Sequence, residues 1–243
     1  MHTTLNYSPN FDNKKRKPKQ IKFIIIHYTG MRIQKDAINK LTSINSKVSS
    51  HYFIKNNGEI LNLIPDLYVA WHAGISSWKK FKSINKYSIG IEINNPGHEN
   101  LYKDFTKEQV MSVLKLCRFL IKKYKVDPKF ILGHSDISPD RKKDPGEKFP
   151  WEYLNKRKIG YWHGLNKKKL INQRNQKVTV KEKKIFINNL IKIGYSKKMN
   201  RKTEDYFKIL ASAFQRRFRQ ELIDGKIDKE CLIISENLVK KYK

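Results

Sequence analysis

Two histidines and one aspartate follow chain segments that are predicted to be buried strands. His27 comes directly after the β-branched run at residues 21–26. His134 follows a short apolar run at residues 130–132, and Asp144 lies in the polar loop beyond it. Two imidazoles and one carboxylate leave the fourth position of a tetrahedral zinc ion open for water, which is the pattern of a catalytic site. A single histidine is more often a core or surface residue than a ligand, so the spacing alone leaves both interpretations open.

A glutamate and a lysine could complete the same chemistry. Water that attacks near a zinc ion needs a proton acceptor, and the negative charge that develops on oxygen needs a positive group. Glu92 is a carboxylate inside the apolar run at residues 89–93, where burial is costly without a function or a partner. Lys142 precedes Asp144 by two residues in the same loop. The alternative is that Glu92 pairs with a basic neighbour and that Lys142 is a solvated surface residue.

Strands and helices alternate around these candidates. β-branched residues and alternation predict five strands: residues 21–26, 51–55, 59–64, 87–94 and 130–132. Asn57-Gly58 separates two of them and favours a type I′ hairpin, in which both central residues need a positive φ. Apolar residues at i, i+3 and i+4 predict a helix over residues 106–125, which Thr106 and Gln109 can start as a capping box. The interleaving predicts an α/β fold with a mixed central β-sheet flanked by helices.

The charge balance of the chain is strongly basic. Its 243 residues include 52 Lys and Arg against 22 Asp and Glu, which gives a formal net charge of +30. Such a charge indicates either a polyanionic partner or a solvated basic surface. The lysines are spread over nearly every predicted surface and no nucleic-acid motif is present, so no nucleic-acid partner is expected. Hydrophobic residues make up 39% of the chain, which is enough for a packed core and excludes wholesale disorder.

Three features bear on the compartment. No apolar run approaches the roughly 20 residues of a membrane span, so no transmembrane segment is expected. Cys117 and Cys231 are far apart in sequence and indicate neither a disulfide framework nor a cysteine metal site. Residues 1–20 are polar and basic and lack the apolar stretch of a signal peptide. A signal peptide is therefore expected to be absent from this chain or already removed.

Six segments carry a recognisable order of motifs: Ile24-Ile25-Ile26-His27-Tyr28-Thr29, Ser50-His51-Tyr52-Phe53-Ile54, Asn57-Gly58-Glu59-Ile60, Ala70-Trp71-His72-Ala73-Gly74, Ser88-Ile89-Gly90-Ile91-Glu92, and Gly133-His134-Ser135-Asp136-Ile137 continuing to Arg141-Lys142-Lys143-Asp144-Pro145-Gly146. This order resembles zinc-dependent N-acetylmuramoyl-L-alanine amidases of the AmpD and AmiD kind, which are related to peptidoglycan recognition proteins. The resemblance covers residues 21–154.

The resemblance implies a role for each candidate residue. It implies that three residues hold one zinc ion: His27, His134 and Asp144. It implies that Glu92 acts as general base and then as general acid, and that Lys142 stabilises the tetrahedral oxyanion. It implies that three further residues contact the substrate: His72, Ala73 and Asn94. The implied reaction is hydrolysis of the amide that joins the lactyl group of N-acetylmuramic acid to L-alanine of the stem peptide.

The composition of the chain changes near residue 155. Residues 155–180 are rich in Lys, Asn and Gln, which is typical of a linker. Three helical patterns follow, and residues 213–219 with the turn at 224–228 resemble the three-helix peptidoglycan-binding domain that is often fused to wall hydrolases. We therefore expect four segments: a basic N-terminal extension at 1–20, a catalytic domain at 21–154, a basic linker at 155–180, and a small helical, peptidoglycan-binding-like domain at 181–243.

These expectations define a function and its alternatives. The expected partners are peptidoglycan or muropeptide fragments, cleaved during cell-wall turnover or recycling. A catalytically weak recognition protein is the first alternative, but such proteins typically lose a metal ligand; a basic nucleic-acid-binding protein is less favoured. The appended helical segment favours the cell envelope, periplasmic or secreted, whereas the missing signal peptide favours the cytoplasm. The sequence gives no indication of the oligomeric state.

Overall fold

β-branched and aromatic residues build the strands of the protein. The computed structural model describes residues 3–197 and 202–241. The strands in this part of the chain are β1 (Thr4–Leu5), β2 (Phe11–Asp12), β3 (Phe23–Tyr28), β4 (Tyr52–Ile54), β5 (Ile60–Asn62), β6 (Val69–Ala70), β7 (Ser77–Trp78), β8 (Phe81–Lys82), β9 (Ser88–Ile93) and β10 (Ile131–Gly133). The α-helices there are α1 (Gln34–Thr42), α2 (Lys107–Tyr124), α3 (His134–Ile137), α4 (Trp151–Asn155), α5 (Lys167–Ile171), α6 (Val180–Ile193), α7 (Thr203–Phe218) and α8 (Lys229–Lys241).

Six of these strands form the central sheet, in the order β1-β5-β4-β9-β3-β10. The β4–β5 pair is antiparallel and every other neighbouring pair in this sheet is parallel. β3 lies between β9 and β10, so its residues are covered on both edges. The predicted α/β fold with a mixed central sheet is confirmed.

The two faces of the sheet pack against different helices. Side chains alternate along a strand, so Ile24 and Ile26 point to one face while Phe23 and Ile25 point to the other. The first face buries its isoleucines against the apolar side of α2. The second face shares one core with α6, α7 and α8, and residues from both sides contribute to it: Phe23, Ile25, Leu132, Phe186, Leu190, Leu210 and Phe214. The C-terminal helices therefore cover part of the same face from which His27 projects.

The predicted start of α2 is confirmed in atomic detail. Thr106 Oγ1 accepts a hydrogen bond from the Gln109 backbone N–H at 3.1 Å, and Gln109 Oε1 accepts one from the Thr106 N–H at 3.0 Å. This reciprocal pair satisfies donors that the first turn of a helix leaves unpaired. The helix then runs over the predicted length to within one residue at each end.

The hairpin between β4 and β5 forms, but the predicted type I′ turn is wrong. Gly58 has a φ of +82°, whereas Asn57 is not among the residues with positive φ. The Gly58 N–H donates to the Lys55 carbonyl at 3.0 Å, and the Lys55 N–H donates to the Glu59 carbonyl at 2.9 Å. This is a three-residue loop in which a single left-handed glycine follows a type I turn. Gly58 in this loop lies close to the first turns of α2. Ser112 Oγ of that helix donates to the Gly58 carbonyl.

The segments expected as an N-terminal extension and a linker both pack against the fold. β1 pairs with β5 and β2 with β6. Arg16, part of a basic run, is buried, and its guanidinium donates to the Asp66 carbonyl at 2.8 Å and 3.2 Å. Within residues 155–180, Ile159 and Leu170 are buried. The outermost residues of the segments 1–20 and 181–243 lie outside the described ranges.

The three helical patterns predicted beyond residue 180 correspond to α6, α7 and α8. α6 begins five residues before its first predicted apolar residue, because Thr179 and Glu182 form a second capping box. No helix within residues 3–197 and 202–241 is long and apolar enough to cross a bilayer.

Candidate active site

Two side chains from the ends of neighbouring strands and one from the loop beyond the second strand converge at one edge of the sheet. β3 and β10 are parallel neighbours, so His27 near the end of β3 and His134 directly after β10 are brought together. The two Nδ1 atoms are 2.9 Å apart, and Asp144 Oδ2 lies 3.0 Å from the first and 3.1 Å from the second. All three residues are buried. The structure thus brings together the three predicted metal ligands.

The donor set of this cluster fits a metal ion. His134 Nε2 lies 3.1 Å from the Ala73 backbone carbonyl, which can only accept, so the ring carries its proton on Nε2 and directs the Nδ1 lone pair into the cluster. Ligand atoms around a tetrahedral zinc ion are roughly 3.3–3.6 Å apart, given bond lengths of about 2.0–2.2 Å. The three donors here are separated by 2.9–3.1 Å. A small outward movement of the side chains accommodates such an ion.

Burial and mutual contact favour the metal-binding protonation states of His27 and Asp144. Burial is the main reason that the pKa of His27 is lowered to about 4, and the neighbouring His134 is the second. Burial alone would raise the pKa of the Asp144 carboxyl, but the contacts with His134 and His27 hold it below its usual value. A neutral imidazole and an ionised carboxylate are the forms that bind a metal cation.

Glu92 lies beside this cluster on the next strand. It is in register with His27 on the parallel strand β9, so both side chains project from the same face of the sheet. The residue is partly exposed, but its Oε2 atom is buried and has no hydrogen-bond partner within the described part of the chain. Burial, and then the Asp144 carboxylate, raise the pKa of Glu92 to about 8, while Lys142 acts in the opposite direction.

A cavity of about 350 Å³ opens above these residues. Glu92, His134 and Asp144 contribute to its lining, and Lys142 contributes from the loop that carries Asp144. This volume is within the range of pockets that hold small molecules and cofactors. Glu92, Lys142 and two of the three predicted metal ligands therefore share one groove, while His27 lies buried against the other two ligands.

The three predicted substrate contacts occupy different environments. His72 is buried, and its Nδ1 lies 3.0 Å from His27 Nε2, although the residue also contributes to the cavity wall. Ala73 is buried, with its carbonyl directed at His134. Asn94 lies in a separate surface cavity, where its Nδ2 donates to Asn56 Oδ1 at 2.8 Å. Contact of these three residues with a substrate stays a prediction.

A polar network beside the groove was not predicted from the sequence. Tyr28 lines the cavity, and its hydroxyl lies 2.8 Å from His98 Nδ1, while His98 Nε2 lies 3.0 Å from Glu147 Oε2. Burial, followed by Asp144, raises the pKa of Tyr28 to about 12. Tyr28 stands in a quoted motif, but His98 is 70 residues further along the chain in a segment with no recognisable pattern.

Comparison with known proteins assigns this site to a family. The family described as N-acetylmuramoyl-L-alanine amidase, Amidase_2, matches residues 17–147, which is more than half of the chain and includes every residue of the cluster. The chain belongs to the Amidase_2 family. The family resemblance of the sequence motifs is thereby confirmed, and the protein is an enzyme of the amidase class.

Two curated Amidase_2 relatives illustrate the extent of the similarity. The N-acetylmuramoyl-L-alanine amidase AmiD of Escherichia coli is 32% identical over 236 residues, which cover 92% of this chain and 84% of the relative. The 1,6-anhydro-N-acetylmuramyl-L-alanine amidase AmpD of Haemophilus influenzae is 32% identical over 163 residues, covering 60% of this chain and 86% of the relative.

Solved structures of Amidase_2 relatives match over nearly the whole chain. AmiD of E. coli, solved in complex with the substrate anhydro-N-acetylmuramic acid-L-Ala-D-γ-Glu-L-Lys, has a TM-score of 0.79 at 32% identity and covers 92% of this chain and 90% of its own. AmpDh3 of Pseudomonas aeruginosa has a TM-score of 0.81 at 28% identity and covers 99% of both chains. The similarity in fold therefore includes the C-terminal helices as well as the sheet.

Proposed function

We propose that this enzyme, with one bound zinc ion, hydrolyses the amide between the lactyl group of N-acetylmuramic acid and L-alanine of the stem peptide, in cell-wall turnover or recycling. One observation carries the proposal: two buried imidazoles and a carboxylate converge beside a groove that is lined by His134, Asp144, a carboxyl of raised pKa and a lysine. Metal-assisted amide hydrolysis needs these groups together.

Zinc is the metal proposed for the cluster, held by His27, His134 and Asp144. When bound, zinc supplies Lewis-acid chemistry, because it polarises an amide carbonyl and makes water a stronger nucleophile at neutral pH. Three protein ligands leave a coordination position for substrate or solvent, as in catalytic rather than structural zinc sites. The neutral His27 ring and the ionised Asp144 support this assignment.

Glu92 is the proposed general base and then general acid. Glu92 lines the groove and its buried Oε2 has no partner in the described residues, so the carboxylate is free to take a proton from the attacking water. A carboxyl whose pKa lies near neutrality can both accept this proton and return it to the departing amine of L-alanine. The environment of Glu92 raises its pKa into that range.

Lys142 is the proposed stabiliser of the oxyanion. It is partly buried in the groove wall and makes no hydrogen bond or ion pair through its ammonium group within residues 3–197 and 202–241. A preorganised positive charge directed at developing negative charge is worth most in a site of low dielectric. The ammonium group would face the carbonyl oxygen as the amide carbon becomes tetrahedral.

The groove suits an acidic ligand. Its walls carry the basic side chains of Lys40, Arg141, Lys142 and Lys143. Stem peptides carry free carboxylates, so charge complementarity favours muropeptides. Two solved relatives, AmiD in complex with an anhydro-muramyl tripeptide and AmpDh3 in complex with an anhydromuramic pentapeptide, support this substrate class.

The C-terminal helices are proposed to bind peptidoglycan and to favour action in the cell envelope, with the cytoplasm as the alternative. The resemblance of residues 213–219 and 224–228 to a wall-binding domain supports this, as does the net charge of +30 opposite anionic wall polymers. The expected boundaries, with the catalytic domain ending at residue 154 and the helical domain beginning at residue 181, are part of this proposal. Cell fractionation would test the compartment.

Mass spectrometry of products would test the reaction. Intact sacculi and purified anhydro-muropeptides would each be treated with the zinc-loaded enzyme and with Glu92→Gln as the inactive control. We expect free stem peptides that begin with L-alanine, together with the complementary muramic acid product. Cleavage at a different bond, or equal product with Glu92→Gln, would contradict the proposal. The relative rates on the two substrates identify which of them is preferred.

A further inference from the structure

His72 was expected to touch the substrate, but its ring nitrogens are used inside the protein. Nδ1 lies 3.0 Å from Nε2 of His27, and the two rings meet edge to face with centroids 5.1 Å apart. Nε2 lies 3.0 Å from Ser88 Oγ. The His72 residue is 8% exposed, so both nitrogens are satisfied by neighbours rather than by bulk water.

His27, His72, Ser88 and the Ile84 carbonyl form a series of hydrogen bonds. The direction of each bond follows from the Ile84 carbonyl at its end. Ser88 Oγ lies 2.8 Å from the Ile84 backbone carbonyl, which can only accept, so the hydroxyl donates to it. Ser88 Oγ then accepts from His72 Nε2–H, which leaves the lone pair of His72 on Nδ1. This lone pair accepts from His27 Nε2–H, and the remaining lone pair of His27, on Nδ1, faces Asp144 and His134.

Ala73, the residue after His72, orients the imidazole of His134 in the same way. The Ala73 carbonyl accepts from His134 Nε2–H at 3.1 Å. Asn85 fixes both positions, because its Oδ1 accepts from the backbone N–H of His72 at 3.2 Å and from that of Ala73 at 2.7 Å. The side-chain amide of Asn85 thus fixes the dipeptide His72-Ala73, and this dipeptide orients the proposed ligands His27 and His134.

Gly90 provides the space for this arrangement. A Cβ atom at this position of β9 would lie 2.5 Å from Cγ of His72, far inside contact distance. The backbone of Gly90 does not have a positive φ, so the glycine is needed for room rather than for conformation. The absence of a side chain at Gly90 therefore leaves room on β9 for the His72 ring beside His27.

We propose that His72 is a positioning residue for the metal site: it holds the proton of His27 on Nε2, so that Nδ1 is presented as a ligand, and Asn85 holds His72 and the Ala73 carbonyl in place. This inference rests on the proposed zinc-dependent function. It assigns His72 and Ala73 to the support of the ligands rather than to substrate recognition. Partners of this kind typically change metal affinity by about 10–100-fold.

Zinc affinity, measured by competition with a chromogenic chelator, tests the inference without reference to activity. His72→Leu removes the acceptor, and we expect its zinc Kd to rise by about 10–100-fold. His72→Asn can place an amide oxygen near the former Nδ1, and we expect it to restore most of the affinity. His163→Leu is the matched control, because it removes a partly buried histidine–carbonyl contact of 3.2 Å to Phe218 that does not involve the cluster, and its zinc Kd should equal that of the wild type.

A second variant keeps the test decisive if His72→Leu does not fold. Ser88→Ala removes the hydroxyl that accepts from His72 Nε2–H and donates to the Ile84 carbonyl, and we expect its zinc Kd to rise while urea unfolding shows that the metal-free protein is still folded. Unchanged affinity in both Ser88→Ala and any folded His72→Leu would overturn the inference. A wild-type chain that binds no zinc would instead overturn the proposed function, so the two failures are distinguishable.

Discussion

Arg217 of α7 forms a buried ion pair with Asp136 of α3, two residues after the proposed metal ligand His134. The other carboxylate oxygen of Asp136 accepts from the Tyr195 hydroxyl at 2.7 Å, and Arg217 also donates to the Ile131 carbonyl at 3.0 Å. Both contacts reach from the C-terminal segment to the chain on either side of Gly133. The C-terminal segment therefore helps to hold the short helix that carries the proposed metal ligand His134.

The first prediction concerns this ion pair. Arg217→Met leaves the Asp136 carboxylate buried and without its cation, and removal of one partner of such a pair typically costs about 3–5 kcal/mol. We expect the free energy of unfolding in urea to fall by about this amount. Arg157→Met is the control, since Arg157 is exposed and stacks on Tyr153, and its effect should stay within about 0.5 kcal/mol. Equal effects of the two substitutions would show that the buried pair does not stabilise the fold.

The second prediction concerns the metal. Asp144→Ala removes the only carboxylate of the cluster, so we expect most of the zinc to be lost during gel filtration and amide hydrolysis to be abolished. Elemental analysis of the eluted protein measures the first effect. Asp140→Ala, an exposed aspartate of the same loop, should retain one zinc per chain and its activity. A zinc-free Asp144→Ala protein with full activity would rule out a metal-dependent reaction.

The site could be predicted because its residues end strands whose type is evident from local pattern. The runs before His27 and His134 are β-branched or apolar, and parallel neighbours finish at the same edge of a sheet. The order of motifs along the chain suggested the role proposed for each of these residues. The close approach of His72 to His27 could not be predicted, because it depends on the space above Gly90, which becomes visible only when β9 lies beside β3.

Long-range polar contacts escaped prediction for a related reason. Arg16 belongs to a basic run whose local pattern indicates solvation, yet its guanidinium reaches carbonyls 50 and 69 residues away. The amphipathic helices α6 to α8 indicate that a partner surface must exist, but not which one. That surface includes Phe23 and Ile25 of β3, a strand whose uniformly apolar sequence does not reveal what covers each face.

The third prediction concerns the proton acceptor. Glu92→Gln preserves the shape of the side chain but removes the base, so we expect bound zinc and fold to be retained while kcat falls by about 10²–10⁴-fold. Glu99→Gln is a matched control, because Glu99 also lines the cavity but pairs with Lys143 at its rim. Its kcat should remain within a few-fold of the wild type. Wild-type turnover in Glu92→Gln would reassign Glu92 to a structural role.

The fourth prediction is the pH dependence that Glu92 imposes on the metal-free protein. Burial raises its pKa to about 8 in the folded chain, against an ordinary value of 4.5. The folded state therefore holds this proton more tightly, so the contribution to stability is complete below pH 4.5 and is lost as the pH rises through 8. With chelator present, the free energy of unfolding of the wild type should decline relative to Glu92→Gln between these values. Urea titrations at intervals from pH 4.5 to pH 9 measure the difference, and parallel profiles would contradict it.

The fifth prediction separates the role of Lys142 in the transition state from a role in binding. Lys142 lines the cavity and has no ion-pair partner among the described residues, so Lys142→Ala should remove charge that the oxyanion requires without breaking an ion pair of the fold. We expect kcat to fall by more than KM rises when anhydro-muropeptides are the substrate. The neighbouring Lys143→Ala is the control for lost positive charge, because Lys143 is exposed and its ammonium pairs with Glu99 at 3.0 Å. A larger effect on KM than on kcat in Lys142→Ala would instead place this lysine among the groups that bind the substrate carboxylates.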